Sequence, residues 1–118
     1  MIDVTLQNFE ADVLQASTRA PVLLDVWAEW CGPCKQLGPV LEQLEAEYAG
    51  RFILAKLDAD KVPEIAGQLS QMLGTRSIPL CVMFVGGQPV AAFVGAHPPA
   101  TIPQFLDTPV PPAGPLAA

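Results

Sequence analysis

One segment restricts the possible folds more than any other. Val22–Trp27 is an almost continuous apolar run of strand length, Cys31-Gly32-Pro33-Cys34 follows closely, and the best amphipathic stretch of the chain starts there. A strand apolar on both faces must be covered on both, and a chain that turns from it straight into a helix builds a layered α/β domain. The helix predicted after the cysteines carries Leu37, Leu41, Leu44 and Tyr48 on one stripe, with Glu42 and Glu45 off it and Gly50 as its C-cap. Pro39 falls inside it and is expected to kink it.

The remaining elements alternate in the same manner. Asp3–Leu6 reads as a short edge strand, and Asn8 as the cap of a helix over Phe9–Ala16 with Phe9, Val13 and Ala16 on one face. Phe52–Leu57 is a second buried-type strand. Pro63 opens a helix whose apolar face is Ile65, Ala66, Leu69, Met72 and Leu73, ended by Gly74. Leu80–Val85 and Val90–Val94 flank Gly86-Gly87-Gln88-Pro89, a hairpin-like connection, and Thr101 starts a last short helix through Leu106. The order predicts an α/β fold with a central mixed β-sheet sandwiched by helices.

The chain has 118 residues, the size of one domain, and 51% hydrophobic residues, too many for a disordered chain. Twelve acidic against six basic residues leave a net charge of -6, so the scattered cations cannot form a duplex-binding face. The expected partners therefore exclude nucleic acid. A membrane is excluded as well, because no apolar run approaches the length of a spanning helix. Met1-Ile2-Asp3-Val4 lacks the basic and long apolar regions of a signal peptide, which points to the cytoplasm. Seven of the 13 prolines lie beyond His97, so residues 109–118 read as a Pro-rich flexible tail or a truncated linker after a domain over residues 1–108.

The chemistry concentrates at Cys31 and Cys34. Cysteines three apart at a helix start share a face and lie close enough for a disulfide. The unpaired N–H groups and positive dipole end of the helix favour a thiolate, most of all at Cys31, the expected attacking and more exposed sulfur. Pro33 stiffens the turn where its missing N–H costs nothing. Half of a zinc site is the other reading of such a pair, but it needs four ligands, and only Cys81 and His97 remain. Neither metal nor organic cofactor is expected. Asp25 interrupts an apolar run that should be covered on both faces, and a buried carboxylate is costly unless it is paired or accepts protons.

Asp25-Val26-Trp27-Ala28-Glu29-Trp30-Cys31-Gly32-Pro33-Cys34-Lys35 resembles the active-site segment of the thioredoxin family. The likeness runs from about Phe9 to Leu106 and includes Pro39, the Ala55-Lys56-Leu57 strand, Ile78-Pro79 and Phe93-Val94-Gly95-Ala96. It implies a thioredoxin fold and a protein-disulfide reductase working through a Cys31–Cys34 dithiol. In that family Cys31 corresponds to the attacking thiolate and Cys34 to the resolving thiol. Asp25 corresponds to the buried carboxylate that takes the resolving cysteine's proton, and Lys56 to the lysine beside it. A plain structural pair between Asp25 and Lys56 stays open as the other reading. Pro79 corresponds to the family's cis-proline. With Trp30, Gly32, Pro33, Ile78, Gly95 and Ala96 it is expected to line the substrate groove. The implied partners are protein disulfides and a thioredoxin reductase-like electron donor.

Four departures stand out. Leu80 occupies the place where most thioredoxins have threonine, which should make the groove more apolar, and Cys81 replaces an apolar core residue and reads as a buried hydrophobe. The Pro63–Gly74 helix is about one turn longer than usual, and the last helix is cut short by Pro109. The Pro-rich ending also resembles the junction in redox co-chaperones that join a thioredoxin domain to tetratricopeptide repeats. In that alternative the domain would bind unfolded or oxidised clients.

Overall fold

The computed structural model describes residues 1–95. Five strands form one mixed sheet in the order β1-β3-β2-β4-β5, with β1 Ile2–Asp3, β2 Val22–Trp27, β3 Ile53–Asp58, β4 Leu80–Val85 and β5 Gln88–Val94. The strand β2 runs parallel to β3 and antiparallel to β4, at the centre of the sheet. Its near-continuous apolar sequence follows from that position, since five of its six residues are buried.

Alternation along the strands separates two cores. Val22, Leu24 and Val26 join Val82 and Phe84 beneath an N-terminal helical segment and helix α2 (Pro63–Leu73). Leu23, Leu54, Cys81 and Met83 pack against Leu37, Leu41 and Leu44 of helix α1 (Gly32–Tyr48) on the opposite face. The expected sandwich is therefore observed. Pro39 lies within α1, and the apolar stripe read from the sequence is the buried one.

Several boundaries moved for identifiable reasons. Asn8 is not a simple cap: Thr5 N–H donates to its Oδ1 at 2.7 Å, and its own N–H donates to Thr5 Oγ1 at 3.1 Å. This reciprocal box starts the helical turn at Thr5, which shortens the expected Asp3–Leu6 strand to Ile2–Asp3. The segment continues through a π-type turn over Glu10–Gln15 and a 3-10 turn over Ala16–Thr18. The short edge strand leaves part of β3 unpaired, and Glu45 Oε2 accepts the Leu54 N–H there at 2.7 Å. Ala49 takes the left-handed position at the end of α1, with Gly50 also left-handed after it.

On α2, Ile65, Ala66 and Leu69 are buried as expected, whereas Met72 is 62% exposed. The last turn overhangs an open depression that Met72 shares with Phe9, Leu69 and Phe84. The hairpin loop is tighter than expected, because β5 starts at Gln88 and the turn is Gly86-Gly87. Both glycines have positive φ, the conformation that two-residue hairpin turns demand. The expected Thr101–Leu106 helix and the Pro-rich tail lie outside the described residues.

Ser17, only 3% exposed, fastens that turn to the helical segment. Its carbonyl accepts the Gly86 N–H at 2.9 Å and its Oγ accepts the Gly87 N–H at 2.7 Å. Removing the hydroxyl strands a donor. Ser17→Ala should therefore lower stability by about 1 kcal/mol in urea unfolding, with an unchanged denaturant slope. A wild-type midpoint would show that the turn is held by other contacts.

Candidate active site

The strand β2 ends at Trp27, and the chain reaches α1 through a tight turn in which Cys31 N–H donates to Ala28 O at 3.1 Å. Cys31 is the N-cap of α1, in extended conformation, and its Sγ accepts the Cys34 N–H at 3.2 Å. One of the orphan amides at the helix start thus points at sulfur, which is how a helix N-terminus stabilises negative charge on a cap. Cys31 and Cys34 are joined by a disulfide, with their Cα atoms 5.3 Å apart. The expected contrast in exposure is small, at 4% for Cys31 and 2% for Cys34. Ala28, Trp27 and Ile78 pack around the pair and account for the cover over Cys31.

On β2, the strand that leads into this turn, Asp25 is 0% exposed. Strand register places Lys56 beside it on β3 and Cys81 beside it on β4. Burial pushes the Asp25 carboxyl up from 3.8 to about 6, with the Lys56 charge and the Cys81 thiol pulling back and Glu42 adding to the rise. The ion-pair partner of Lys56 is Glu42, Nζ to Oε2 3.7 Å, rather than Asp25. Lys56 also lies over the Trp27 ring at 5.0 Å, and its amine passes close to Gly38, where a Cβ would stand 3.2 Å away. The simple Asp25–Lys56 pair is therefore replaced by a chain of charges from α1 to β3 to β2. Cys81 Sγ lies 3.9 Å from Asp25 Oδ1, while Asp25 Oδ2 has no hydrogen-bond partner among the described residues.

The predicted surface residues divide. Gly32 and Pro33 are exposed beside the cysteine pair, and Trp30 is 70% exposed with its indole N–H donating to Asp60 Oδ2 at 3.0 Å. The Ile78–Pro79 bond is cis, and Ile78 packs against the cysteines. Gly95, with positive φ, donates its N–H to Pro79 O at 2.8 Å, so the two loops meet. Ala96 and His97 lie outside the described residues. A groove of about 810 Å³ opens beside Trp30 and Ile78 and continues along Pro63, Ala66 and Arg76. Leu80 corrects the expectation of a more apolar groove: it is 1% exposed and belongs to the core under α2. Its side chain points through the sheet because β4 alternates from Pro79 onward.

Three contacts went unread in the sequence, namely Cys81 with Asp25, Glu42 with Lys56 and Asp60 with Trp30. Each joins residues far apart in the chain, and only the strand register or the α1 crossing brings them together. Among the described residues, no group of three or more His, Cys, Asp or Glu could hold a metal ion, and no helix is long and apolar enough to cross a membrane.

A disulfide seated on a helix N-terminus, with a cis-proline loop against it and a buried carboxyl group on the strand that leads to it, defines a dithiol–disulfide exchange domain. Comparison with known proteins gives the same class. A family model described as Thioredoxin matches residues 1–108. Thioredoxin 2 of Chlorobaculum tepidum is 46% identical over 105 residues, covering 89% of this chain and 91% of its own length. Thioredoxin C-2 of Corynebacterium nephridii is 43% identical over 107 residues, covering 91% and 94%. The bifunctional thioredoxin reductase/thioredoxin of Mycobacterium leprae is 46% identical over 110 residues, which are 93% of this chain and 23% of that protein. The chain belongs to the thioredoxin family. It is a protein-disulfide oxidoreductase whose redox centre is its own cysteine pair, with no added cofactor.

The elevated Asp25 value has a consequence for stability. A carboxyl whose pKa is raised on folding favours the native state while protonated, so its ionisation costs stability as pH climbs from about 4 through 6. A rise of two units corresponds to about 3 kcal/mol at neutral pH. Asp25→Asn, which is never charged, should be more stable than the parent by up to that amount at pH 8 and close to it at pH 4. Urea unfolding of the oxidised forms at both values checks this, and a pH-independent difference would contradict the cost of a buried charge.

Proposed function

We propose that the protein reduces disulfides of cytoplasmic protein substrates and is itself reduced by a flavoprotein of the thioredoxin reductase type. The observation that carries the reading is the Cys31–Cys34 disulfide at the start of α1, with the Cys34 N–H directed at Cys31 Sγ. In the reduced protein Cys31 is the nucleophile, since the helix N-terminus favours its thiolate. It attacks a substrate disulfide and forms a mixed disulfide, releasing one substrate thiolate. Cys34 then attacks the Cys31 sulfur, closing the internal disulfide and releasing the second substrate thiolate.

Cys34 must lose a proton to do so. Asp25 is the proposed acceptor, because a carboxyl titrating near 6 is ionised at neutral pH yet basic enough to be protonated transiently. Lys56 holds the charge of that carboxylate in check from β3. Trp30, Gly32, Pro33, Ile78, Pro79 and Gly95 are the surface proposed to receive an extended substrate segment. The fusion of a thioredoxin reductase to a thioredoxin in the Mycobacterium leprae relative supports a reductase as electron donor. The redox module is proposed to span residues 1–108, the stretch that the family model matches. Reduction is preferred to the client-binding reading of a co-chaperone, because buried Leu80 offers clients no apolar surface.

Two experiments test these roles. Reduction of insulin disulfides, with dithiothreitol or thioredoxin reductase as donor, should vanish in Cys31→Ser, and normal turnover in that variant would rule the mechanism out. Resolution of a mixed disulfide should slow on the order of 100-fold at pH 7 in Asp25→Asn, the low end of general-base contributions. Unchanged resolution rates would remove Asp25 from the proton path.

A further inference from the structure

Cys81 is the one cysteine that dithiol exchange does not use, and its position is specific. It stands directly across from Asp25 in the β2–β4 pairing, on the face that α1 covers, and both residues are 0% exposed. Its Sγ approaches Asp25 Oδ1 at 3.9 Å, whereas Oδ2 has no hydrogen-bond partner among the described residues. A protonated thiol is a weak donor, and burial together with the neighbouring carboxylate pushes the Cys81 thiol up, so it keeps its proton. The charged groups acting on Asp25 from the other packed elements are Lys56 of β3 and Glu42 of α1, which pair with each other at 3.7 Å. An aliphatic side chain at this place would offer a donor to neither carboxylate oxygen, whereas the thiol offers one to Oδ1 alone.

We infer that Cys81 is a positioning residue, whose S–H occupies Asp25 Oδ1 and leaves Oδ2 as the oxygen that receives the proton of Cys34. The inference rests on the proposed transfer from Cys34 to Asp25. In that step the Cys34 S–H bond breaks and an O–H bond forms at Oδ2. The Cys34 sulfur bonds to Cys31, the mixed disulfide breaks, and the substrate leaves as thiolate, while Cys81 keeps its proton throughout. Because the donated hydrogen bond favours the ionised carboxyl, its loss makes Asp25 harder to ionise.

The experiment follows mixed-disulfide resolution by the full chain against pH in Cys81→Ala, Cys81→Val and Cys81→Ser, with the Asp25 carboxyl titrated by NMR in the oxidised proteins. Alanine and valine should move the acidic limb and the carboxyl titration upward by about half a pH unit, a roughly 3-fold loss of rate at the acidic end. Serine, which keeps a donor, should restore the parent profile. Valine preserves most of the volume should alanine fail to fold, and lowered stability alone would not move the limb. An unmoved or lowered midpoint in the apolar variants, or a serine profile that follows alanine, overturns the role of Cys81. Asp25→Asn separates the two levels. If it abolishes the limb while the Cys81 variants leave it in place, only the positioning role falls. If the limb survives Asp25→Asn, the proton path beneath it falls as well.

Discussion

The hydrogen bond from the Cys34 amide to Cys31 Sγ is the contact on which the rest of this molecule depends. It exists because a strand buried on both faces stops at Trp27 and a helix starts at Gly32, leaving Cys31 to cap it. A capping side chain normally supplies oxygen to an orphan amide. Here sulfur does so, and the same geometry that closes the helix end favours the charged form of the sulfur once the disulfide opens. Structure and reactivity are one arrangement at this point, and the remainder of the sheet holds the turn still.

A second constraint runs against stability. The centre of a five-stranded sheet is a poor place for a carboxyl group, and Asp25 sits there fully enclosed. Its neighbours mitigate the cost without neutralising it. Lys56 leans toward Glu42 and across Trp27, so its charge reaches Asp25 through space and not through an ion pair. A tight pair would have anchored the carboxylate at low pKa, whereas the looser arrangement leaves it near 6. The fold thus holds a buried carboxyl that titrates near 6, at the expense of some native-state free energy.

Much of this was legible in the sequence, because the informative signals were local. The apolar run of β2, the stripe on α1 and the glycine pair of the hairpin each set the structure of their own segment. The cysteine spacing and its helix start also lie within a few residues. The misses are of two kinds, a misjudged face within an element and a contact between distant segments. Leu80 was read as groove-facing, yet strand alternation turns it into the core, and Met72 fits the helical stripe but overhangs the edge of the layer beneath. The partners of Asp25 depended on register. A slip of one residue between β2 and β4 would have put Cys81 on the other face, and no pattern within either strand specifies which alignment occurs.

The two flanks of the sheet carry a last implication. On one side β1 is only two residues long, and the Glu45 carboxylate occupies the neighbouring Leu54 amide; on the other, β5 carries Pro89, which has no N–H to offer. A shielded donor on one margin and an interrupted ladder on the other leave little template on which a second copy could extend the sheet. A sheet whose edges stay open can pair with a second copy and grow into fibrils. These margins disfavour such polymerisation.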